Sequence, residues 1–305
     1  MKEAASPEGF SATFADAERS LLADLLERSR LYHTSKDYLE LLDFVSRLRN
    51  FAPFNAMLLQ IQRPGLTYAA SEYDWRTRFD RTIKEDARPL LILWPFGPVA
   101  FVYDKEDTEG ADLPVDMEQM FHAAGAVSEE DLTRFAQRLD NRGVHVERLD
   151  YGDGKAGSIK VVRRSTNKKE RPSYQVRMNR NHTFAVQFVT LVHELGHLFL
   201  GHLGPDEYLK IARRLSLKPA EEELEAESLA YLVCKRHGVA SKSESYLADY
   251  VTANTATGSL DLDNLFKAAG QVETVLGISA QTRFEPKPRT ERKASSARLA
   301  NHSRP

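Results

Sequence analysis

His193, Glu194 and His197 stand in the run HELGH, a spacing that suits metal chemistry. Two histidines four residues apart on a helix lie one turn apart on the same face. Both imidazoles then reach one tetrahedral Zn²⁺, and the Glu between them sits beside the metal. Such a site suits hydrolysis by activated water, with Glu194 taking the water's proton and passing it to the leaving amine. A catalytic zinc needs a third protein ligand as well as the water. His202 is near in sequence, but on a continuous helix it points about 180° from His193 and reads as a helix-end histidine. The run EEELEAESLAYLVCKRHG offers a better source. Its buried stripe is expected through Ala226, Ala230, Val233 and Cys234, with Glu223 near the stripe's centre and Glu227 one turn on. A carboxylate on an apolar stripe needs a cation opposite it. Glu223 is therefore the expected third metal ligand, and Glu227 an acceptor that orients one ligand histidine. Glu221, Glu222 and Glu225 are expected to be solvated at the helix N-terminus, where the helix dipole favours them. Cys234, about 16 Å along the axis from Glu223, reads as core.

These residues need rigid elements to position them. A long helix is expected from about Thr183 to His202, with Phe184, Phe188, Leu191, Val192, Leu195, Leu198 and Phe199 on the side away from the histidines. The histidine face carries small residues such as Ala185, Thr190 and Gly196, which leave room for metal and substrate. A second helix opens after Pro219 and closes near Gly238. Three strand-like runs, VHVERL, SIKVVRR and YQVRMN, precede the first helix, and Tyr174 to Asn179 is the candidate for the strand that lies along bound substrate. Ser128-Glu129-Glu130-Asp131 starts a helix that Gly143 stops. Toward the N-terminus, apolar spacing from Asp16 to Arg49 predicts two amphipathic helices, and a third follows Pro53. LLILW and VAFVY predict a hairpin across Pro95 to Pro98, and the polar stretch Asp104 to Pro114 reads as a linker.

Bulk composition bounds the rest. A chain of 305 residues with 42% hydrophobic and 28% charged residues is long enough for two folded domains. One cysteine excludes a disulfide framework and a cysteine-rich metal module. The absence of an apolar leader and of a spanning stretch predicts a cytoplasmic protein with no membrane partner. The net charge of -2 is an average. Residues 142–180 hold eleven basic and four acidic residues, and the stretch from Arg283 to Pro305 holds seven basic and two acidic. The latter reads as a disordered basic tail.

The chemistry-bearing residues resemble the ImmA/IrrE family of zinc metallo-endopeptidases. That family's pattern joins HELGH to an acidic helix of the form E-x-x-A-E/N-x-x-A, here Glu223 to Ala230. The resemblance implies an α+β fold. A zincin-like metallopeptidase domain over 115–282, with a short antiparallel sheet packed on the HELGH helix, would follow a smaller α+β domain over 1–114. It also implies a protein or peptide substrate, such as a transcriptional repressor. Ser243 to Leu247 is similar to an S-x-S-Y-L element of the ArdC-like branch, which makes Tyr246 either an oxyanion donor or a packing tyrosine. Phe54 to Leu59 and the hairpin resemble the N-terminal domain of ArdC antirestriction proteins, which is associated with single-stranded DNA. Arg47 to Arg88 carries eight basic and five acidic residues among Phe51, Phe54, Tyr68, Tyr73, Trp75 and Phe79, a mixture that fits a single-strand groove or an ordinary core and surface. The two readings are thus a zinc endopeptidase, and a single-stranded-DNA-binding antirestriction-type protein with a structural or vestigial metal site.

Overall fold

A computed structural model describes residues 35–94, 97–113, 126–150, 156–165, 167–214, 217–241, 247 and 260–280. The helix expected from Asp16, Tyr246 and the basic tail lie outside them.

The described chain is a mixed α+β structure. Helices α1 (Ser35–Arg47) and α2 (Pro53–Gln62) precede strand β1 (Ala69–Ala70), helix α3 (Glu72–Phe79) and strand β2 (Arg81–Ile83). Strands β3 (Leu90–Trp94) and β4 (Gly97–Asp104) form the expected hairpin, with Leu90 opposite Val102 and Ile92 opposite Ala100. The stretch read as a linker is built structure as far as Gly110. A 3-10 turn at Lys105–Asp107 leads into β5 (Thr108–Gly110), which pairs with β2. Arg63 reaches Asp104 and Asp107 from the end of α2 and holds this turn in place.

Helix α4 (Glu129–Asp140) starts at a reciprocal cap between Ser128 and Asp131. Strands β6 (Val144–Leu149), β7 (Gly157–Arg163) and β8 (Ser173–Asn179) follow, ordered β6-β8-β7. This sheet is mixed, not antiparallel as expected: β6 runs parallel to β8, and β7 antiparallel to it. Strand β7 turns back along the far side of β8, which leaves β8 central and makes β6 and β7 the two edges. The strand beside the cleft is therefore β7, not Tyr174 to Asn179, whose backbone is occupied on both sides.

Helices α5 (Phe184–Phe199), α6 (Pro219–Arg236) and α7 (Leu262–Leu276) complete the described chain. Helix α6 packs against α5, α1 and α7, so from Leu224 onward it is covered on most of its surface. The apolar core is continuous, from Tyr38 and Leu58 through Phe135, Val176 and Leu195 to Phe266, and it crosses the boundary expected at Pro114. Among the described residues, no helix is long and apolar enough to cross a membrane.

Candidate metal centre

Helix α5 presents the HELGH residues because its ends are fixed. Thr183 caps the N-terminus by accepting from the Val186 amide, and the large apolar residues Phe188, Leu191, Leu195 and Leu198 are fully buried behind it. On the opposite face His197 Nε2 lies 3.1 Å from His193 Nε2. Glu223 from α6 closes the group, with Oε2 3.5 Å from His193 Nε2 and Oε1 3.5 Å from His197 Nε2. A tetrahedral zinc with bonds of about 2.0–2.1 Å sets neighbouring ligand atoms about 3.3–3.4 Å apart. The two imidazole nitrogens and the Glu223 carboxylate, which spans them with its two oxygens, thus stand close enough together to share one metal ion. The expected trio is the His/Glu cluster that could hold a metal ion among the described residues.

Glu223 is 54% exposed, so it does not lie on a buried stripe; it projects at the open end of α6 toward the imidazoles. Glu227 lies beside the pair, with its carboxylate 3.4 Å from His193 Nδ1, which makes no hydrogen bond there. Glu194 is nearly buried and, with His193, Thr190, Gly157, Val189 and Glu227, lines a cleft of about 690 Å³. The cleft continues along α5 to Val186 and Thr183. Gly157 brings β7 against α5: a Cβ there would lie 2.5 Å from Thr190 Cγ2 and 2.8 Å from the Arg177 carbonyl oxygen. Burial, with His193 and His202 beside it, pushes the His197 imidazole down to about 3, so the ring is neutral and has a lone pair to offer.

Two residues depart from their sequence-based places. Glu225 is not solvated: it is 1% exposed, 3.0 Å from His202 Nε2, and accepts from both Arg214 Nη1 at 2.5 Å and Nη2 at 3.0 Å. Burial pushes its carboxyl up, but the hydrogen bonds from His202 and Arg214 outweigh that and hold it below the ordinary carboxylate range. His202 does not point away from the site. The helix ends at Phe199, and Gly201 at φ +85° reverses the chain, so that His202 N donates to the His197 carbonyl and Gly201 N to that of Leu198. This is a Schellman ending, and it carries the His202 ring back to His197, Nδ1 to Nδ1 at 3.0 Å. Gly201 just past the apolar run was the signal in the sequence. Cys234 is buried core, as expected.

No protein-family model and no curated protein matches the chain. The motifs above are therefore the whole basis of the resemblance to ImmA/IrrE peptidases. Among solved structures, the chain is similar at 16% identity to the Mn(II)-bound crystal structure of the antirestriction protein ArdC from the R388 plasmid; the match covers 76% of this chain and 85% of that chain, with a TM-score of 0.39.

Proposed function

We propose that this chain is a zinc-dependent endopeptidase of zincin-like construction. The observation that carries the reading is the spacing of 3.1–3.5 Å among His193 Nε2, His197 Nε2 and a Glu223 carboxylate, beside a nearly buried Glu194. Two imidazoles and one carboxylate suit Zn²⁺ and leave a fourth position open. A divalent metal held there lowers the pKa of a bound water and polarises a carbonyl oxygen. Glu194 holds the proton that the water gives up and delivers it to the leaving nitrogen. Among the described residues β7 pairs with β8 alone, so its outer edge offers backbone donors and acceptors to an extended peptide lying in the cleft. Val186 and Val189 give the cleft floor an apolar stretch for side chains.

The single-strand-binding reading needs exposed rings on which bases stack. Of the aromatic residues between Arg47 and Arg88, Phe51, Phe54, Tyr68 and Trp75 are buried, Phe79 is half-buried against Trp75, and Tyr73 faces solvent. That favours the peptidase.

The test is Glu194→Gln in the full chain, loaded with zinc and offered a library of quenched fluorescent peptides. The expected result is unchanged zinc content with cleavage lowered by about 10²–10⁴-fold. Equal cleavage by the variant would sink the assignment. Bound zinc without cleavage by the parent, together with a salt-sensitive shift of single-stranded DNA, would favour the second reading.

A further inference from the structure

We infer that His202, Glu225 and Arg214 form a positioning relay that fixes the tautomer of His197, so that its Nε2 is the lone-pair nitrogen facing the metal. The inference rests on the metal-centre reading of His193, His197 and Glu223 and goes beyond it.

The order of protons follows from one fixed end. Glu225 is buried, and the Arg214 guanidinium grips both its oxygens in a bidentate pair, so the carboxylate is an acceptor on both sides. His202 Nε2, 3.0 Å from it, must carry a proton and donate. In the neutral form this ring, with its proton on Nε2, has a lone pair on Nδ1. That lone pair faces His197 Nδ1 at 3.0 Å, so His197 must donate from Nδ1. Its remaining nitrogen, Nε2, is then left with a lone pair at the point where His193 Nε2 and Glu223 converge. The reverse order fails at both ends. It aims a lone pair of His202 at the Glu225 anion and puts a proton on the nitrogen that should bind the metal.

The relay is built from three segments that meet only through folding. His202 comes from the reversed turn after α5, Glu225 from α6, and Arg214 from the connection between them, where its guanidinium also donates to the Leu200 carbonyl at 3.2 Å. Each of these side chains is at least mostly buried. On the other ring, the Glu227 carboxylate lies 3.4 Å from His193 Nδ1. The two rings thus differ: His197 Nδ1 is hydrogen-bonded through a histidine to a carboxylate, while His193 Nδ1 has a carboxylate near it but no hydrogen bond. His202 touches no reacting atom, so its part is positioning.

Two readouts test this in the full chain. In the metal-free parent, ¹⁵N-detected imidazole spectra should show His197 as the Nδ1–H tautomer and His202 as the Nε2–H tautomer. The opposite tautomer on His197 overturns the relay. Zinc affinity, measured by chelator competition, should fall about 10–100-fold in His202→Leu, which removes the acceptor. It should recover most of the way in His202→Gln, whose amide can accept from His197 and donate to Glu225. Parent-like affinity in His202→Leu, or equal loss in the Leu and Gln variants, overturns the inference. If His202→Leu does not fold, the parent's tautomers decide. A parent that binds no zinc while showing the expected tautomers overturns the metal centre and leaves the proton order standing.

Discussion

Three carboxylates surround the imidazole pair, and their burial and distances divide the work among them. Glu223 is half exposed and equidistant from both Nε2 atoms, Glu227 is 27% exposed and reaches only the Nδ1 of His193, and Glu194 is nearly buried against β7. A ligand and an orienting residue should therefore differ in what their loss does to the metal. Glu227→Ala should lower zinc affinity about 10–100-fold, because His193 loses the acceptor beside Nδ1. Glu223→Ala should lower it further, because a coordinate bond is lost. Chelator competition on the folded variants gives the order, and an equal effect of the two substitutions would remove Glu223 from the ligand set. At this scale the sequence was legible where helix periodicity alone places a residue, as it does for His193, His197 and Glu227. Glu225 was not legible. A glutamate in the first turns of a helix is ordinarily solvated, and its partners His202 and Arg214 lie 23 and 11 residues away in sequence, across a turn whose direction depends on one glycine.

The elements that hold the site were mostly readable, because their signals are local. The Ser128 cap, the apolar face of α5 and the alternating runs of β6, β7 and β8 predict the elements that form. Strand order is a different kind of information. Nothing in SIKVVRR or YQVRMN says which will lie at the edge, because that is set by pairing across the sheet while both strands pack on α5, and the close approach of β7 depends on Gly157. The same glycine yields a prediction for the pair of elements. Gly157→Ala places a methyl 2.5 Å from Thr190 Cγ2 and 2.8 Å from the Arg177 carbonyl, so β7 must withdraw from α5 or from β8. The cost should be about 1–3 kcal/mol, as for other overpacked sites. Adding Thr190→Ser removes the nearer contact but keeps the hydroxyl that donates to the Val186 carbonyl, so it should restore part of the stability. The Arg177 carbonyl remains, so restoration should be incomplete. Urea midpoints of the two variants check both statements, and an unchanged midpoint in Gly157→Ala would mean that strand and helix are not in tight contact.

At the scale of the molecule, composition suggested two domains meeting near Pro114, while the larger core cluster among the described residues draws on both sides of that point, with a smaller cluster around Trp75 beside it. Arg236 is the clearest link. It lies near the end of α6, 1% exposed, with Nε donating to Glu273 of α7 at 2.5 Å, Nη1 to the Val45 carbonyl at 2.7 Å and Nη2 to the Phe51 carbonyl at 2.9 Å. One guanidinium therefore satisfies carbonyls at the end of α1 and in the turn after it, from within the half of the chain that holds the metal centre. Arginine suits this place because its fork can serve a carboxylate and several carbonyls at once. Arg236→Met should cost about 3–5 kcal/mol, because Glu273 is left as a buried charge without its partner and the carbonyls lose their donor. Combining it with Glu273→Leu should return part of that, since the unpaired charge is gone while the carbonyls stay unserved. The chain's two tryptophans, Trp75 and Trp94, both lie before residue 114, whereas helices α4 to α7 dominate the far-ultraviolet signal after it. If the core is one cooperative unit, tryptophan fluorescence and circular dichroism should follow the same urea transition in the parent, and both should move to lower urea together in Arg236→Met. Separate transitions in the parent would instead make the two halves independent domains that touch, and the Arg236 substitution would then shift one signal and leave the other in place.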